Sequence, residues 1–81
     1  MVTKTGDTLN AAIAMELRHA QLEAGISDIA LADKVGVNVQ TLRRWMKDER
    51  AMPASPFIRI TEALSVDPTA VVLLARRRLV E

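Results

Sequence analysis

Apolar positions recur at helical spacing along most of this chain. Leu9, Ile13, Leu17 and Ala20 follow an i, i+4 course, with Leu22 near the end of the stripe. Ile29, Leu31, Ala32 and Val35 form a second set that stops at Gly36. Leu42, Trp45 and Met46, with Val39 at their edge, form a third. Phe57, Ile60, Ala63 and Leu64 form a fourth. A run from Val71 to Leu74, continued by Leu79 and Val80, forms a fifth. No strand-like alternation of useful length interrupts them, so the pattern predicts an all-α chain of five helices. Punctuation between the sets agrees. Asp7 or Thr8 is the expected cap of the first helix, and Gly25 its stop. Ser27 with Asp28 opens the second, and Asn38 opens the third, which runs to about Lys47. Ser55 with Pro56 at the first position opens the fourth after the turn-rich DERAMPASP, and Asp67-Pro68 opens the fifth. Residues 1–6 are expected to be a flexible arm and residues 7–81 one domain.

The stretch SDIALADKVGVNVQTLRRWMK, from Ser27 to Lys47, carries the chemistry. Two short helices meet there at a corner where Gly36 supplies the positive φ. Ala32 is small enough for a close helix crossing. On the third helix Leu42, Trp45 and Met46 share one face, while Gln40, Arg43, Arg44 and Lys47 fall at i, i+3, i+4 and i+7 on the other. One side packs into a core; the other presents an amide, two guanidiniums and an ammonium. A helix about 10 Å across fits a DNA major groove about 12 Å wide, where Gln and Arg make bidentate contacts to adenine and guanine. Val39 packs inward or touches a thymine methyl.

Composition narrows the alternatives. Net charge is only +1, so the case for a nucleic-acid partner rests on distribution rather than total charge. Arg43, Arg44, Lys47 and Arg50 form one basic cluster and Arg76, Arg77 and Arg78 a second, while Asp7, Glu16, Glu23, Asp28 and Asp33 lie toward the N-terminus. There are no cysteines, hence no disulfide framework and no thiolate zinc site. His19, the single histidine, has no partner at metal-ligand spacing and reads as a surface residue. No catalytic triad, carboxylate pair, P-loop or metal spacing is present, so an enzyme, a cofactor and a bound metal are not expected. No membrane-length apolar run and no secretory leader are seen, and a cytoplasmic location is expected.

These residues resemble the phage Cro and lambda-repressor type of helix-turn-helix regulator. The resemblance runs from about Leu17 to Asp67. LRHAQLEAGIS is similar to the end of that family's first helix, Leu31-Ala32 to the apolar-plus-small pair of its second, and Gly36-Val37 to its turn. Leu42 and Trp45 match the packed positions of its recognition helix. The resemblance implies a compact five-helix lambda-repressor-like domain that reads double-stranded DNA in the major groove. Val39, Gln40, Arg43 and Arg44 are then the expected base readers, and Ser27, Asn38, Thr41, Lys47 and Arg50 the expected phosphate contacts. Two departures stand out. The family often has Gln where this chain has Asp28, an acid that repels a phosphate unless it caps backbone amides. Where the family's loop after the recognition helix is often basic with a glycine, this one holds Asp48 and Glu49.

The expected function is a transcription regulator, a short Cro-like repressor of phage type acting in a bacterial host cell. The competing expectation is a protein-interaction module, such as an antitoxin-like partner, built on the same scaffold. The exposed face of the third helix discriminates them: apolar side chains there favour a protein, polar and basic ones DNA. The fifth helix carries more apolar residues than one core-facing stripe needs. With Val71 and Leu74 assigned to the core, Val72, Leu73, Leu79 and Val80 are the expected interface of a homodimer, weak or DNA-induced, on a near-palindromic operator.

Overall fold

Capping chemistry sets half of the helix ends. The computed structural model describes the backbone of residues 4–80 and the side chains from residue 8 to residue 80. It holds α1 (Lys4–Ala24), α2 (Asp28–Val35), α3 (Val39–Met46), α4 (Ala54–Ala63) and α5 (Pro68–Val80), with no strand among the described residues. Ser27 accepts from the Ala30 amide at 3.1 Å, Asn38 from the Gln40 amide at 2.7 Å and Asp67 from the Thr69 amide at 3.1 Å. Each bond satisfies an amide that has no partner inside its helix. Gly25 and Gly36 adopt φ of +67° and +83°, the left-handed conformation that stops α1 and α2.

Two helix starts differ from expectation. α1 begins at Lys4, so Asp7 and Thr8 lie within it rather than at its cap. Residues 4–6 are therefore helical rather than part of an arm, and residues 1–3 lie outside the described residues. α4 begins at Ala54, with Pro53 in the capping position and the Phe57 amide bonded to its carbonyl at 3.1 Å. Ser55 makes no cap, and Pro56 sits in the first turn, where a missing amide hydrogen costs no helical bond.

The core is aliphatic around one tryptophan. Leu17, Leu31, Leu42 and Ile60 are fully buried, joined by Ala32, Val35, Trp45, Met46, Leu64 and Val71, with Ile13, Ala20, Phe57 and Ala63 packed at the edge. Each fully buried aliphatic side chain of this size contributes about 1.5–3 kcal/mol. Thr61 is buried too, its hydroxyl donating to the Ile58 carbonyl at 2.7 Å, which removes the cost of an unpaired polar group. α2 packs on α3 and α4, while α1 lies mainly along α5. Ala12 and Ala14 of α1 and Ala75 of α5 are buried.

Two apolar residues do not face as expected. Leu22 is 78% exposed: it stands five residues past Leu17, about 140° around the helix from the core direction. Leu74 is 46% exposed, because the buried pair of α5 is Val71 with Ala75, one turn apart.

Candidate nucleic-acid interface

α2 and α3 are fixed to each other by a corner of few residues. The Gly36 and Val37 amides both donate to the Ala32 carbonyl, at 2.8 and 3.0 Å. Asn38 then caps α3. Leu31, Ala32 and Val35 from α2 and Leu42, Trp45 and Met46 from α3 are buried in the same cluster. Rotation of α3 about its axis would expose that stripe, so the orientation of its outer face is set by core packing.

Gln40, Arg44 and Lys47 are exposed on that outer face. Arg43 is half-buried beside them and donates from Nε to Asp28 Oδ2 at 3.1 Å. The second carboxylate oxygen, Asp28 Oδ1, accepts from Gln21 Nε2 at 2.8 Å. Asp28 therefore neither caps backbone amides nor stands alone. These two hydrogen bonds, Gln21's first and Arg43's second, hold its carboxyl below the ordinary value of 3.8; burial opposes them, and the positive charges of Arg43 and Lys47 add to the lowering.

The remaining expected contacts differ in burial, and Arg50 lies beside the cleft behind α3 rather than on this face. Val39 is half-buried and packs against the core, the inward of its two expected orientations. Thr41 is half-buried, and Ser27, Asn38 and Arg50 are exposed. The Ser27 hydroxyl oxygen and Asn38 Oδ1 are engaged as caps, which leaves each side chain a donor for an anion. α3 ends with Asp48 in the left-handed region, φ +60°, its amide bonded to the Trp45 carbonyl at 3.1 Å and the Glu49 amide to the Arg44 carbonyl at 2.8 Å. Glycine is the residue best suited to that position.

Sequence reasoning missed the Asp28–Arg43 pair. Its only trace is an acid opening α2 and a base one turn into α3, which are neighbours once the two helices cross.

A cleft of about 240 Å³ opens behind α3, walled by Ile13, Trp45, Met52, Phe57 and Val72. Val72 thus belongs to this wall and not to a free outer surface. The four residues expected at a dimer interface also divide into two rows. Val72 and Leu79 are seven apart, as are Leu73 and Val80, and the two rows lie about 100° apart around α5. Leu73 and Val80, 51% and 86% exposed, share their side of the helix with Arg76 and Arg77, both exposed. Arg78 is engaged elsewhere, with Glu16 and, at 3.3 Å, His19 Nδ1. His19 is exposed, and no group of three or more potential metal ligands occurs among the described residues. Among the same residues no helix is long and apolar enough to cross a membrane.

A protein-family model described as Helix-turn-helix matches residues 17–71, more than half of the chain, from the middle of α1 to the first turn of α5. No curated protein and no solved structure matches it.

Proposed function

The chain belongs to the helix-turn-helix family of Cro and lambda-repressor type regulators, and from that premise we propose that it is a sequence-specific repressor reading double-stranded DNA with α3. The all-α, five-helix architecture is of the lambda-repressor-like kind. The family is DNA-binding and regulatory, not enzymatic. One observation carries the sequence-specific reading. The face of α3 turned away from Leu42, Trp45 and Met46 presents Gln40, Arg44 and Lys47, with Arg43 beside them and no large apolar side chain. A protein-docking face would be expected to carry apolar anchors. Here the chemistry is that of base edges and phosphates.

In this reading Gln40, Arg43 and Arg44 contact bases, and Val39 helps by shape at the edge of the face. Ser27, Asn38, Thr41, Lys47 and Arg50 contact phosphates and set the register. The repressor acts as a homodimer of Cro-like form on a near-palindromic operator, its two copies of α3 about 34 Å apart. Leu73 and Val80 of α5 form the centre of that interface, and Arg76 and Arg77 remain at its solvated rim. Four guanidiniums near one two-fold axis repel, so the dimer is weak off DNA.

Selection of bound duplexes from a random pool, followed by titration of Arg44→Ala, tests this. The variant should lose about 1–3 kcal/mol on the selected duplex and much less on a scrambled one. Equal loss on both would reduce Arg44 to a phosphate contact, and failure to enrich any sequence would refute the reading.

A further inference from the structure

Asp28 is an acid beside the cations Arg43, Arg44 and Lys47, and both of its carboxylate oxygens are held. Gln21 Nε2 donates to Oδ1 at 2.8 Å and also to the Ile26 carbonyl at 3.1 Å, which ties the carboxylate to α1 and the turn after it. On the other side Oδ2 takes Arg43 through Nε alone. A guanidinium has five N–H donors in a rigid fork. Engaging Nε leaves the four on Nη1 and Nη2, the edge that makes a bidentate contact to guanine O6 and N7.

Other roles for Asp28 are accounted for or small. Ser27 already caps α2. The side chains of the Arg43–Asp28 pair are 36% and 42% exposed, and an ion pair so exposed contributes little to stability. Its main physical consequence is to restrict where a long, flexible cation points. A carboxylate placed here also repels the phosphates that would otherwise draw Arg43 away from the bases.

We propose that Asp28 is a specificity-determining positioning residue: anchored by Gln21, it holds Arg43 by Nε, presents the Nη edge to a guanine, and penalises capture of Arg43 by the DNA backbone. This rests on the DNA-reading face described above. Asp28 touches no base itself; it acts through Arg43.

The test uses the full chain and the duplex it selects. Arg43→Ala first identifies the base pair whose substitution no longer matters. Asp28→Asn, which keeps the size but removes the charge, is then titrated on the selected duplex, on its variant at that base pair and on scrambled DNA over a range of salt. The discrimination at that base pair should fall about tenfold. Binding to scrambled DNA should tighten, and its dependence of log K on log salt should steepen by about one phosphate contact. In the Arg43→Ala background Asp28→Asn should leave that discrimination unchanged. Gln21→Leu frees the carboxylate without removing its charge, so discrimination should fall with no steeper salt dependence. Trp45 emission and circular dichroism check folding, and Gln21→Leu carries the test if Asp28→Asn does not fold. A merely structural role moves affinity for all duplexes together and leaves base preference alone. Wild-type discrimination retained in Asp28→Asn, or in Gln21→Leu where Asp28→Asn is unfolded, would overturn the proposal, as would an Arg43→Ala variant that loses no base preference. Absence of any selected sequence with wild type is a different result, and it defeats the DNA reading on which the proposal stands.

Discussion

Replacing Trp45 by alanine removes the largest side chain of the core from the helix that carries the candidate interface. Trp45 is 8% exposed and lies in one buried cluster with Leu42 and Met46, on a helix packed against α1 and α2. Truncating a buried Trp or Phe to Ala costs about 3–5 kcal/mol. The cleft of about 240 Å³ already borders the indole, so the enlarged space admits water, which favours the lower end, about 3 kcal/mol. An 81-residue domain has a total stability of roughly 4–12 kcal/mol, so the loss is a large share of it. At about 4–8 °C per kcal/mol for a domain of this size, the melting temperature should fall by roughly 12–24 °C. Thermal melts followed by far-ultraviolet circular dichroism measure it. Ile29→Ala, at a residue 67% exposed on α2, is the control and should shift the melt by only a few degrees. If Trp45→Ala melted within a few degrees of wild type, or no lower than Ile29→Ala, the facing of α3 would be wrong, and with it the assignment of Gln40, Arg44 and Lys47 to the outer side.

Three further outcomes follow from the same geometry. Asp28 has a carboxyl pKa lowered by folding, so its contribution is present above the unfolded value and is lost as pH falls below about 3.8 through the folded value. Asp28→Asn should accordingly lose less stability than wild type on acidification below that pH in denaturant titrations, and identical acid slopes would show that the pairing is absent in solution. Asp48→Gly relieves a left-handed aspartate, φ +60°, and removes a negative charge next to the basic face. It should raise stability by up to about 1 kcal/mol and tighten binding to scrambled DNA; a lower melting temperature would contradict this. Leu73→Glu should abolish the advantage of a full operator over a half site, and Leu79→Glu, in the other row of α5, should do so less. Screening of Arg76 and Arg77 should make the wild-type dimer stronger at high salt in sedimentation runs while DNA binding weakens, and a dimer indifferent to both Leu73→Glu and salt would rule out that interface.

The helices and the corner were legible because they depend on local chemistry. Ser27, Asn38 and Asp67 cap their own helices, and Gly25 and Gly36 take the positive φ that their lack of a Cβ allows. The facing of α3 was legible too, since Leu42, Trp45 and Met46 leave only one side for the charges. Errors arose where tertiary neighbours decide. Val71 and Ala75, not Leu74, are the buried row of α5, because the axis of α5 relative to α1 selects that row and the sequence does not state that axis. A count of the excess apolar residues of α5 does not contain their angles: Val72 and Leu79 lie about 100° around the helix from Leu73 and Val80. At α4, Ser55-Pro56 has the form of a cap, yet Pro53 already supplies the extended residue and the helix starts before them. The partner of Arg43 was out of reach of sequence reasoning: Asp48 and Glu49 are near in the chain, while Asp28 is near only after α2 crosses α3.

In the proposed function α3 reads guanines from the major groove through its arginines. Methylation interference on the selected duplex tests it most directly, because dimethyl sulfate adds its methyl to guanine N7 on the major-groove edge that such a contact requires. Methylated guanines should block wild-type binding in two clusters about 10 base pairs apart, and Arg44→Ala should no longer sense at least one of them. Binding of wild type indifferent to N7 methylation throughout the duplex would contradict major-groove reading by α3.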